Sequence, residues 1–125
     1  MKILIVDDST LDRKLLIRTL MKADITQEIL QAQDGEEGLE ILAAHYKDIC
    51  VVLLDWQMPK LSGIELLSGI VKIPVLASIP VIMVTASGSE DNKKLAYETH
   101  PKLAGYIVKP YKPEQLLEAV KPHLK

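Results

Sequence analysis

Five residues able to do chemistry stand at the ends of four short apolar runs. ILIV leads into Asp7 and Asp8, VVLL into Asp55, VIMV into Thr85, and YIV into Lys109, which is followed by Pro110. Brought together, the three carboxylates repel one another, so one must protonate or a cation must sit among them. Counting Lys109, the group carries about two net negative charges. A hard divalent cation such as Mg²⁺, with Mn²⁺ as a substitute, suits oxygen-only donors. No His or Cys occupies any of the four strand-end positions, which argues against zinc or a redox metal. Asp55, directly after its apolar run, is the natural nucleophile: a carboxylate can attack phosphorus and carry an aspartyl-phosphate. The cation, Lys109 and the Thr85 hydroxyl would neutralise charge as the phosphoryl group arrives.

Such a site exists only if the fold aligns the four runs. All-apolar runs rich in Val and Ile read as strands buried on both faces of a parallel sheet. The spacing predicts strands at about Lys2 to Val6, Glu28 to Ala32, Ile49 to Leu54, Val81 to Thr85 and Gly105 to Val108. Helices are predicted from Ser9 or Thr10 to Lys22, after the Asp34-Gly35 turn to about Tyr46, from Ile64 to Val71, from Ser89 or Glu90 to Thr99, and from Pro113 onward. Leu11, Leu15, Leu16, Ile17 and Leu20 lie on or near one face of the first helix. The prolines of IPVLASIP, Ile73 to Pro80, predict an extended connection there.

Alternating strands and helices mean βαβ units. Right-handed crossovers leave few topologies, among them the flavodoxin-like order 2-1-3-4-5, a three-layer (βα)₅ α/β fold with helices on both faces. Strands one and three are then neighbours, and Asp7-Asp8 lies beside Asp55 at the carboxyl edge, where open α/β sheets bind ligands.

At 125 residues the chain reads as one domain, 1–125. A net charge of −2, with 26% charged and 48% hydrophobic residues, creates no field favouring nucleic acid or an anionic membrane. No apolar stretch approaches the roughly 18 to 20 residues that span a bilayer, and the start does not read as a signal peptide. The lone Cys50 offers no disulfide framework and is expected in the core, which fits a reducing, cytoplasmic setting. His45, His100 and His123 fall at predicted helix ends and are expected at the surface.

Taken together, IVDDS, DWQMP around Asp55, Gly63, VTA at Thr85 and GYIVKPY around Lys109 resemble the response-regulator receiver (CheY-like) domain of two-component signalling, from Lys2 to about Leu124. The resemblance implies a phosphoacceptor switch, not an enzyme acting on an external metabolite. By it, Asp55 accepts the phosphoryl group from a sensor histidine kinase or phosphotransfer protein. Asp8 and Asp55 bind Mg²⁺ directly, Asp7 through water, and the backbone carbonyl of Gln57 is a further ligand. Thr85 bonds a phosphoryl oxygen, Lys109 pairs with it, and the Lys109-Pro110 bond is cis. Tyr106 is the switch aromatic. Gln57 and Ser87 occupy positions that tune hydrolysis, and neither carries charge. The fourth helix, fifth strand and fifth helix form the face presented to a downstream protein or output domain, and the resemblance permits a homodimer through it. Tyr111 where Phe is usual, Lys102-Leu103 before the last strand, and IPVLASIP depart from the common pattern. Two other readings stand beside this one. An FMN-type binding module would need a Ser/Thr/Gly-rich phosphate loop after strand one, where Ser9-Thr10 follows two acids. An aspartyl phosphohydrolase usually has an acid at position 57, which is Gln.

Overall fold

The computed structural model describes residues 1–124. Its elements run β1 (Lys2–Val6), α1 (Thr10–Lys22), β2 (Glu28–Ala32), α2 (Gly35–His45), β3 (Ile49–Leu54), α3 (Gly63–Val71), α4 (Pro74–Ala77), β4 (Val81–Thr85), α5 (Glu90–Thr99), β5 (Gly105–Val108) and α6 (Pro113–Val120), closed by a 3₁₀ turn, Lys121–His123. The five strands form one sheet in the order β2-β1-β3-β4-β5, and every pairing is parallel. This is the expected flavodoxin-like topology.

Alternate residues of each central strand enter opposite cores. Leu4, Val6, Val52, Leu54, Val81 and Met83 pack with Leu42 of α2, Leu66, Leu67 and Ile70 of α3, Leu76 of α4 and Ala96 of α5. Ile3, Ile5, Val51, Leu53, Ile82 and Val84 pack with Leu16 and Leu20 of α1 and Leu116 and Val120 of α6. A strand buried on both faces must be apolar throughout, so the first polar residue after each run falls where the sheet ends. Four helices start on a capping side chain: Ser9, Asp34, Ser62 and Ser89 accept from the backbone N–H three residues on, which satisfies a donor the helix leaves open. In α3 the cap is reciprocal, with the Glu65 side chain accepting from the Ser62 N–H.

Three expectations need correction. The segment expected to be extended holds a four-residue helix, α4. Pro74 stands at its first position, where no N–H is needed, and the residue before it, Ile73, is extended with φ −112° and ψ 108°, as a pre-proline residue prefers. The two predicted helices beyond it are therefore α5 and α6. On α1, Leu16 and Leu20 are buried but Leu11 and Leu15 are 66% and 45% exposed; at about 100° per residue Leu11 and Leu20 lie on opposite sides of the helix. His100 is buried, 4% exposed, and both ring nitrogens lack a hydrogen-bond partner. It ends α5 against a groove of about 750 Å³ walled by α4 and Pro101-Lys102. Burial holds its imidazole below the ordinary histidine pKa.

Candidate functional site

Each strand end is tied to its neighbour by the backbone. The Asp7 N–H donates to the Ala32 carbonyl at 3.0 Å, the Asp55 N–H to Val6 at 2.9 Å, and the Lys109 N–H to Thr85 at 2.8 Å. These bonds carry the pairing one residue past the strands and hold the reactive positions in register. The loop after Asp55 folds back so tightly that a Cβ on Gly63 would stand 2.0 Å from the Asp55 carbonyl oxygen. The Gly63 N–H closes that turn on the Trp56 carbonyl at 2.7 Å. Only glycine permits such an approach of backbone to backbone.

Asp7, Asp8 and Asp55 each present a carboxylate oxygen, all within 4.8 Å of one another. Asp7 is 1% exposed, Asp55 half-buried and Asp8 exposed. Asp7 Oδ1 accepts the Ser9 N–H at 2.9 Å, and Asp55 Oδ1 accepts the Trp56 N–H at 2.7 Å. Burial raises the Asp7 carboxyl above its ordinary pKa; bonds from Lys109 and the Ser9 N–H oppose this, and the charge of Asp55 adds to it. A pocket of hard oxygen donors fits a divalent cation of the Mg²⁺ type. The Ser9 N–H, already taken by Asp7, is not free to cradle an anion, which weighs against a flavin-type phosphate loop.

Lys109 reaches into the cluster. Its Nζ lies 2.7 Å from Asp7 Oδ2, 2.8 Å from Asp12 Oδ2 and 3.3 Å from Asp55 Oδ2. Burial alone would push the ammonium pKa down, but its bonds to Asp12 and Asp7 and the nearby Asp55 charge outweigh that, so it stays above the ordinary lysine range. The Lys109-Pro110 peptide is cis. On the other side of the strand ends, Thr85 is 1% exposed, and its Oγ1 accepts the Ser87 N–H at 3.2 Å. The half-buried Tyr106 donates its hydroxyl to the Ser87 carbonyl at 2.5 Å, and Asn92 donates to the Ser87 hydroxyl. Burial raises the Tyr106 hydroxyl pKa, with the Ser87 bond opposing. Gln57 is exposed in the loop after Asp55.

The structure thus brings Asp7, Asp8, Asp55 and Lys109 together, and gathers Thr85, Ser87 and Tyr106 into an adjoining cluster. Two contributors escaped the sequence reading. Asp12 takes the second-shortest ion pair to Lys109, and Arg13 Nη1 donates to the Asp7 carbonyl at 2.6 Å. Asp12 carried a signal in Ser9-x-x-Asp12, which places an acid in the first turn of a helix starting at the site's edge.

Comparison with known proteins follows the same lines. Residues 3–121 match the response regulator receiver domain. The chain is 33% identical over 118 residues to a chemotaxis protein CheY homolog of Campylobacter jejuni, covering 94% of this chain and 88% of the relative. The CheX-CheY-BeF₃-Mg²⁺ complex of Borrelia burgdorferi has a chain that matches with a TM-score of 0.86 at 33% identity, over 98% of this chain and 87% of that one. Chemotaxis protein CheY4 of Vibrio cholerae matches with a TM-score of 0.83 at 29% identity, over 98% of both chains.

Proposed function

This chain belongs to the response regulator receiver domain family, and from that premise we propose that it is a phosphoacceptor switch with Asp55 as the phosphoryl carrier. The observation that carries this reading is the clustering of three carboxylates within 4.8 Å with the Lys109 ammonium 3.3 Å from Asp55 Oδ2. A carboxylate oxygen of Asp55 attacks the phosphorus of a phosphohistidine on a histidine kinase or phosphotransfer protein. The P–O bond forms, the P–N bond breaks, and the imidazole leaves with the electron pair and takes a proton from solvent. Lys109 then pairs with one phosphoryl oxygen and the Thr85 hydroxyl bonds another. Asp7, Asp8, Asp55 and the Gln57 carbonyl would hold Mg²⁺, which when bound neutralises charge on the incoming phosphoryl group. The catalytic contribution of the chain is position and electrostatics, since phosphoryl transfer asks for little else. The chain modifies itself and turns over no external metabolite.

The readout runs through Thr85, Ser87 and Tyr106 to the face made by α5, β5 and α6. Leu95 on α5 and Val108 on β5 are 44% and 39% exposed there, apolar surface suited to a protein partner. The phosphoryl group acts by shifting the population toward the conformer that partner binds.

The test is to add beryllofluoride or acetyl phosphate with Mg²⁺ and follow Trp56 fluorescence and intact mass. A Mg²⁺-dependent response that disappears in Asp55→Asn is expected. No response, or one that survives Asp55→Asn, overturns the proposal.

A further inference from the structure

We propose that Asp12 is a brake on phosphorylation: its carboxylate anchors the Lys109 ammonium in the resting chain and must release it before Lys109 can bind a phosphoryl oxygen. The inference rests on the phosphoacceptor reading of Asp55 and adds a residue to it.

An ammonium group has three N–H donors and no more. In the resting chain three carboxylates engage it, those of Asp7, Asp12 and Asp55. A phosphoryl oxygen needs one of those donors, so one carboxylate must give way. Asp55 becomes the phosphoryl carrier and stays at the centre. Asp7 has a side chain only 2% exposed and is fixed by the Ser9 N–H. The Asp12 side chain is 34% exposed, and Asp12 and Lys109 both line a cleft of about 490 Å³ into which a released carboxylate can turn. Its helix does not depend on the side chain, because the cap bond runs from the Asp12 backbone N–H to Ser9 Oγ. Asp12 is therefore the group that can leave without breaking the fold, and its grip on Lys109 opposes the phosphorylated state.

The role is that of a positioning residue acting through Lys109, and the test separates that from a general effect. Beryllofluoride affinity at saturating Mg²⁺ is measured for wild type, Asp12→Ala, Asp12→Asn and Asp12→Glu, and for Asp12→Ala in a Lys109→Ala background. Asp12→Ala is expected to bind about three- to tenfold tighter, the range for a partly exposed charge-assisted contact. Asp12→Asn, which keeps an acceptor but loses the charge, falls between Asp12→Ala and wild type, and Asp12→Glu returns toward wild type. In the Lys109→Ala background the gain disappears, because the coupling partner is gone. Unchanged or weaker binding by Asp12→Ala, or an equal gain in both backgrounds, overturns the inference and leaves Asp55 as phosphoacceptor intact. A wild-type chain with no Mg²⁺-dependent beryllofluoride response overturns both.

Discussion

Replacing Asp8 by Asn keeps the shape of the side chain and removes its charge, and it should stabilise the metal-free protein while impairing the site. The Asp8 carboxylate lies within 4.8 Å of those of Asp7 and Asp55, yet the Lys109 ammonium bonds go to Asp7, Asp12 and Asp55. Two unit charges at 4.8 Å repel by about 0.9 kcal/mol in bulk water and about 3.5 kcal/mol at an effective dielectric of about 20. Asp8 is exposed, so the water figure governs, and its two repulsions total about 1.7 kcal/mol, offset in part by attraction to Lys109. Asp8→Asn should gain about 1 kcal/mol in EDTA at low ionic strength, and the gain should shrink as salt is added. Excess Mg²⁺ should reverse the order. A ligand at about one hundred times its Kd stabilises the folded state by about 2.7 kcal/mol, and the variant forfeits most of that. Urea unfolding followed by Trp56 fluorescence, with EDTA and with Mg²⁺, gives the four midpoints. A variant less stable than wild type in EDTA, or a gain indifferent to salt, would refute the view that these carboxylates are held together against their mutual repulsion.

Two further outcomes follow from the backbone and from the buried histidine. Gly63→Ala drives a Cβ to 2.0 Å from the Asp55 carbonyl oxygen; it should cost about 2 to 3 kcal/mol and weaken Mg²⁺ binding by displacing Asp55, and chemical denaturation with a Mg²⁺ titration reads both. His100, held neutral by burial, takes up its proton in the unfolded chain near its ordinary pKa of about 6.5 and in the folded chain only at lower pH. The unfolded state therefore binds more protons below that point, and stability should fall as pH drops from about 6.5, by at most about 1.4 kcal/mol per pH unit. A His100→Gln variant should lose that slope; an identical slope in the two proteins would assign it elsewhere.

What could be read from residues alone tracks how local the physics is. The runs at β1, β3 and β4 are apolar because both faces are covered, so the first polar residue after each one marks the sheet edge without a structure. Ser9 and Ser89, read as helix starts, cap through bonds spanning three residues. Asp12 was legible only as a first-turn acid, since its contact with Lys109 joins positions 97 apart in the chain and depends on how the first turn of α1 faces the end of β5. The segment from Ile73 to Pro80 carries proline signals that both an extended strap and a short helix satisfy, and burial of Leu76, 3% exposed, tips it to the helix. Leu11 and Leu15 share the apolar character of Leu16 and Leu20 but not their side of α1, a distinction that needs the helical angle to be counted. His100 looked like a helix-end cation, and only the packing around it shows that it is enclosed.

On the phosphoacceptor reading proposed above, one phosphoryl group would reach the α5–β5–α6 face by two routes. Ser87 binds Thr85 through its N–H and Tyr106 through its carbonyl, so a Thr85 hydroxyl drawn toward the phosphoryl oxygen pulls on the group that fixes Tyr106. Lys109 lies directly after β5, three residues from Tyr106, so its movement toward Asp55 acts on the same strand from the other end. A side chain held by one backbone carbonyl has discrete alternatives, bonded or released, and switching elements are built from such alternatives. Each route would begin at a contact seen in this conformer, Thr85 with Ser87 on one side and Lys109 with Asp12 on the other. On that reading, the free energy of phosphoryl binding would be set against the contacts that hold Ser87 and Lys109 in this conformer.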